Sequence, residues 1–267
     1  MIENEVAIRK LVKVAVESYA EGFEARHLAE YDDPDGTINM KIHNVFIAGL
    51  GPELQYYTAL VCSLDSSLRN MLEKLAVNIA ELFYTVSQKV EGGLHPEQTT
   101  FIAKLLEEYK RHSKKPEISD YKDLRIKNKK AAEVKRHDSD YYLIDTKNNL
   151  HYLIELKIGG DLDNKKARSE KEAILEQYAI LSNTLPQETN IKIYFATAYN
   201  RFGENNQWKQ ERVKQFFADE ELLIGRDFWN FICQSNDGYT IILDEYKKHS
   251  NMILQSLENI KSKYLGR

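Results

Sequence analysis

The sequence predicts an α/β fold, a mixed central sheet flanked by helices, with a helical N-terminal part. Three observations predict it. Apolar residues recur at helical spacing through much of the first half. Near residue 130 the texture changes to short apolar runs broken by turn residues, in SDYYLIDTKNNLHYLIELKIGG and NIKIYFATAYN. Helical segments lie between and after those runs, the pattern of a sheet covered by helices.

Residues 3–30 form the first expected helix, with Val6, Leu11, Val14, Val16, Tyr19 and Phe23 at helical positions. YDDPDGT follows as a turn around Pro34 and Gly36, and HNVFIAGLGPE is a mixed segment broken by Gly49, Gly51 and Pro52. A long helix is expected from about Ser63 to Val90, its stripe made of Leu68, Met71, Leu72, Leu75, Ile79, Leu82 and Phe83, with Ser63 or Asp65 as cap. EGGLHPE closes it, and HPEQTTFIAKLLEEYKRHSKK adds a short helix. Asp140–Asp145 and Leu150–Ile158 read as a hairpin around Thr146–Asn149. SEKEAILEQYAILSN reads as a helix, and NIKIYFATAYN as a strand buried on both faces. WKQERVKQFFADEEL and SNMILQSLENIKSKYLGR complete the helices. The chain is expected to form one domain over 1–267. Its helical N-terminal part covers 1–115, its core 116–235 and a C-terminal helix 236–267.

The 267 residues are 29% charged and 42% apolar, ordinary for a globular chain, and no run of 18 apolar residues suggests a membrane span. The first residues read as an amphipathic helix rather than a secretory signal. Cys62 and Cys233 read as two buried reduced thiols, which points to the cytoplasm. A net charge of −4 is not that of a typical nucleic-acid binder, so any such contact must rest on local clusters of Lys and Arg. The seven histidines show no H-x-x-x-H or H-E-x-x-H spacing, so zinc is not expected. Serine-hydrolase, P-loop and dinucleotide-binding signatures are missing as well.

The chemistry-bearing stretch is HDSDYYLIDTKNNLHYLIELK, residues 137–157. Residues two apart on a strand share a face, so Glu155 and Lys157 point the same way at the end of an apolar run. If Asp140 opens the preceding hairpin strand, its carboxylate lies across from Glu155. Two carboxylates are hard oxygen ligands for Mg²⁺, and the lysine can orient a water or offset developing charge, as phosphodiester hydrolysis requires. A cross-strand ion pair without chemistry would use the same residue types. Asp138 shares a face with Asp140 and is the alternative metal ligand; Asp140 is preferred because it leads directly into Tyr141–Ile144. His137 stands beside the site.

The pattern Asp140…Glu155-Leu156-Lys157, in the order strand, strand, helix, strand, resembles the PD-(D/E)xK nucleases. HNVFIAGLGPE followed by SLDSSLRNMLEKLAVNIAE is similar to the N-terminal block of TdeIII-like type II restriction endonucleases. Together the similar stretches cover about 40–90 and 130–235. The departures are Asn44-Val45-Phe46 for Asn-Pro-Phe, Arg69 where glycine is common, and no proline before the aspartate. The resemblance implies a restriction-endonuclease-like core and a Mg²⁺-dependent homodimer cutting both strands of DNA at a short palindrome, with a GGNCC-like target suggested. It implies a cognate DNA methyltransferase that protects host sites without needing to bind. It also suggests Glu73, on the N-terminal helix, as a further acidic group of the catalytic site.

The expected DNA contacts are basic. YKDLRIKNKKAAEVKR carries seven Lys or Arg, among them Lys127, Lys129, Lys130, Lys135 and Arg136. After the motif, Gly159 and Gly160 permit close approach of backbone to phosphate, and Lys165, Lys166, Arg168 and Lys171 follow on the next helix. Gln177 on that helix is a candidate support for the site. In AYNRFGENNQWKQER, Arg201 and Asn205 are favoured over Asn200, Asn206, Gln207, Lys209 and Arg212 as readers of base edges. Solvated surface faces have the same composition. A nuclease without strict sequence specificity, or a non-catalytic DNA-binding module, stands as the alternative reading.

Overall fold

Helices dominate the first eighty residues, and their limits follow from local backbone rules. The computed structural model describes residues 2–125 and 133–266, with side chains described for 4–125, 134–136 and 141–266. Helix α1 runs Ile2–Ala29, α2 Val45–Ala48 and α3 Pro52–Ala80. Helix α3 starts eleven residues before the expected Ser63. Proline is at ease in a first helical turn, and Gly51 ahead of it takes a φ of +102°. The expected helical run to Val90 is also corrected at its other end. The helix stops at Ala80, and Thr85–Leu94 is instead a strand, β1. Gly92 within β1 explains part of this. A Cβ there would stand 2.8 Å from Ile180 Cγ2, so the strand passes too close to a helix for any side chain.

The chain forms two compact units, Met1–Ile79 with Thr240–Arg267, and Ala80–Tyr239. The first unit is helical and includes the C-terminal helix α9, Asn251–Leu265. Its buried α1 face is Ile8, Val12, Val16, Ala20, Phe23 and His27, whereas Val6 and Val14 are exposed, so the stripe is rotated from the expected one. Ser256 of α9 donates to Ala20 O at 3.1 Å, and Tyr264 to His27 O at 3.0 Å. Met71, Leu75 and Ile79 of α3 are buried as expected, but Leu82 beyond the helix is exposed.

The second unit holds a five-stranded mixed sheet in the order β1-β2-β3-β4-β5. Strand β2 is Glu133–Asp145, β3 Leu150–Leu156, β4 Asn190–Thr197 and β5 Leu222–Ile224. The first three pair antiparallel; β3 with β4 and β4 with β5 pair parallel. The hairpin turn is the expected one: Asn149 takes φ +51°, and Asp145 accepts the Lys147 and Asn148 N–H groups. Between β3 and β4 runs α5, Asn164–Thr184, the crossover that parallel neighbours require. Helix α4, Pro96–Lys110, joins α5 in one core with β1 and β3. Beyond β4 come α6, Glu211–Lys214, and α7, Arg226–Ile232; α8, Gly238–His249, follows. Strand β5 begins at Leu222, the last residue of a segment expected to be helical, and Leu222–Ile224 extends the ladder beside Phe195–Thr197. Strand β4 alternates at its start, with Asn190 and Lys192 exposed, and is fully buried only toward its end. Among the described residues no helix is long and apolar enough to cross a membrane. Cys233 is buried, but Cys62, expected inside, is exposed.

Lys171 of α5, a candidate phosphate contact by sequence, has no surface at all. Its Nζ donates to both Glu221 carboxylate oxygens at 2.8 Å and to Tyr121 Oη at 2.6 Å. Burial pushes the ammonium below its usual range, and the Glu221 carboxylate opposes that shift. Removing one member of such a pair strands the other charge. Lys171→Met is therefore expected to destabilise the protein by about 3–5 kcal/mol in urea unfolding, and Lys171→Met with Glu221→Leu to recover most of the loss. A single-variant cost below about 1 kcal/mol would contradict this account.

Burial also holds His27 and His151 below the ordinary histidine value of 6.5. The unfolded chain takes up these protons first on acidification, so stability present above 6.5 is lost as pH falls toward the folded values. The urea midpoint is expected to drop between about pH 7.5 and about pH 5.5, and His151→Gln to flatten that drop.

Candidate active site

Strand β3 is the central strand, buried on both faces from His151 to Leu156. A carboxylate is tolerated there only where charged or polar partners meet it. Glu155, 8% exposed, lies near the strand's C-terminal end, its Cα paired with Phe195 of β4. The ladder continues past the strand, with Lys157 N–H donating to Ala196 O at 2.9 Å and Ala198 N–H to Ile158 O at 3.1 Å. The backbone of Lys157 is thus as fixed as that of a strand residue. Its Nζ lies 2.5 Å from Glu155 Oε1, so the two residues share a face as their spacing predicts.

A residue missed by sequence reasoning completes this contact. Glu170 of α5 places Oε1 3.2 Å from Lys157 Nζ. The helix start that positions it is capped by Asp163, which accepts the Lys166 N–H at 2.8 Å. The usable signal was helical spacing, since Glu170, Ile174 and Gln177 recur along one face of α5. Gln177 is buried, and its Oε1 meets no hydrogen-bond partner among the described residues.

Asp138 and Asp140 belong to β2, and their side chains lie outside the described ones, as does that of His137. The backbone register is informative: Tyr141 pairs with Ile154, so β2 runs beside the site-bearing end of β3. Glu73 is an exposed residue of α3 in the helical unit.

The expected basic contacts divide. Lys127, Lys129 and Lys130 lie outside the described residues. Lys135 is half-buried and bound to Glu176 of α5 at 3.0 Å, while Arg136 is exposed opposite Glu91 of β1. Lys165 and Lys166 are exposed at the start of α5, and Arg168 leans toward Glu172 at 3.9 Å. Arg201 binds Asp161 at 2.6 Å and holds that carboxyl below the usual range; Asn205 is exposed. Asn200 and Asn206 use their amides to brace their own loop, donating to Asn206 O and Phe202 O, so they are not free to read bases. Gly160 serves the chain's own packing: φ is +63°, and a Cβ would lie 2.6 Å from Thr197 Cγ2.

These parts suit polar chemistry on an anion: a fixed ammonium between two carboxylates, at the carboxyl ends of parallel strands where open α/β sheets place ligands. A family model described as type II restriction endonuclease, HinfI, matches residues 5–250. No curated protein and no solved structure matches the chain. The match spans nearly all of both units, and so the chain belongs to the HinfI family of type II restriction endonucleases, site-specific deoxyribonucleases that act on double-stranded DNA.

Proposed function

We propose that the protein is a Mg²⁺-dependent nuclease of the PD-(D/E)xK type, with Asp140, Glu155 and Lys157 as its catalytic centre. The observation that carries this reading is the Glu155–Lys157 contact at the end of an otherwise apolar strand. The donor set fits a hard cation: Glu155 supplies a carboxylate almost out of water, and Asp140 or Asp138 is the second acid, from the strand alongside. When bound, Mg²⁺ would supply a more acidic water and charge neutralisation at the scissile phosphate. The chain's own residues do the rest. Lys157, tethered by Glu155 and Glu170, presents Nζ to the attacking water or to the charge developing on phosphate oxygen. Glu170 acts through Lys157 and is a positioning residue. Glu73 is the further acidic group that the resemblance to TdeIII-like enzymes suggests.

Cleavage of both strands at a palindrome calls for two active sites related by a two-fold axis, so we propose a homodimer. The blocks at Asn44–Phe46 and Ser63–Glu73 support a TdeIII-like arrangement, with a short GGNCC-like sequence as the first target to test. Exposed Arg136, Lys165 and Lys166 are the best placed of the described sequence candidates for backbone contact.

Digestion of unmethylated plasmid is expected to give discrete bands with Mg²⁺ and none with EDTA. Lys157→Ala is expected to lower the cleavage rate by about 10²–10³-fold or more with DNA binding retained. A smear would remove sequence specificity, and full activity in the variant would remove Lys157 from the chemistry. Glu170→Gln is expected to reduce the rate about 10–100-fold while KM stays put. An unchanged rate would leave Glu170 a surface acid.

A further inference from the structure

The helical unit carries a polar cleft of about 390 Å³, lined by Arg26 of α1, Thr37 and Lys41 of the following turn, and Ser63, Ser66 and Asn70 of α3. The α3 residues recur at three- and four-residue steps, so they share one helix face. Two cations and several hydroxyl and amide groups line the cleft, and no carboxylate does. Lys41 enters no ion pair among the described residues.

The arginine is held from behind. Arg26 Nη2 donates to Ser63 Oγ at 2.7 Å and approaches His27 Nε2 at 3.2 Å; Ser63 Oγ lies 3.0 Å from the same nitrogen. His27 Nε2 thus faces both the guanidinium and the hydroxyl, and its Nδ1 lies 3.8 Å from Glu30. His27 has no exposed surface, which makes it a rigid backstop for both groups. Glu30 stands on the Nδ1 side of His27. Its carboxylate accepts the Thr37 N–H at 2.8 Å, which keeps it charged and also fixes the turn that carries Thr37.

We infer that this cleft is a seat for a phosphate of the DNA backbone, a contact made by the helical unit apart from the catalytic residues. A braced guanidinium together with ammonium, hydroxyl and amide donors around one opening matches a phosphodiester oxyanion. An arginine braced by buried His27 and half-buried Ser63 loses little freedom on binding. The seat rests on the family's DNA substrate and not on the choice of catalytic residues. Its failure and theirs are therefore distinguishable.

The test uses the full-length protein in EDTA with a short mixed-sequence duplex, so that binding is read without cleavage. Each phosphate contact adds about 0.9 to the slope of log K against log salt. Lys41→Gln is expected to lower the slope by about 0.9, and Arg26→Gln with Lys41→Gln by about 1.8. Among the described residues the Lys41 side chain makes no hydrogen bond or ion pair that its replacement would lose, so its variant keeps the test alive should Arg26→Gln not fold. Cys62 lines the same cleft and is exposed, while Cys233 is buried, so maleimide labelling of the native protein reports on the cleft. Saturating duplex is expected to slow that labelling several-fold in the wild type. An unchanged slope overturns the seat for DNA. Labelling slowed by inorganic phosphate, with the slope still unchanged, also overturns it and assigns the cleft to a free phosphate.

Discussion

A strand with no solvent-facing side can hold charge only near its end, and β3 is such a strand. Its antiparallel neighbour brings the hairpin acids alongside, and its parallel neighbour holds Lys157 by one further ladder bond past the strand. The parallel pairing has a second effect. It demands a crossover, and the crossover helix α5 begins beside the end of β3, which is how Glu170 comes to meet Lys157 from a separate element. Strand burial, strand direction and helix placement thus all converge on a single lysine nitrogen.

Helix α5 shows how finely this placement sorts its residues. Glu170 and Lys171 are adjacent in sequence, yet one reaches the half-exposed site and the other is sealed against Glu221, Tyr121 and Phe217. Adjacent helical residues point about 100° apart, enough to separate a surface from a core. The buried pair ties the helix to Glu221, in the segment ahead of β5. Rigidity of α5 therefore has its source in a different charge pair from the one it positions.

Periodicity carried much of this in the sequence. The hairpin was legible because Tyr141–Asp145 and Leu150–Leu156 are apolar and β-rich on either side of a Thr-Lys-Asn-Asn turn, and the shared face of Glu155 and Lys157 followed from their spacing. Strand β1 was not legible. Its two glycines read as a helix terminator, and only the approach of α5 explains why glycine stands at position 92. Lys171 read as a surface cation because its partner, Glu221, is fifty residues away and nothing local announces the pairing. Asn200 and Asn206 looked like free donors for the same reason: their hydrogen bonds run within a loop whose shape the sequence does not state.

The helical unit is discontinuous, made from both ends of the chain with the sheet unit inserted between them. Arg9 meets Glu245, Ala20 meets Ser256 and His27 meets Tyr264 across 236 or 237 residues. The whole sheet unit, Ala80–Tyr239, lies in sequence between the partners of each contact. The helical half of this nuclease therefore closes on itself only over the whole length of the sheet unit, and the entropy of closing so long a loop opposes that union.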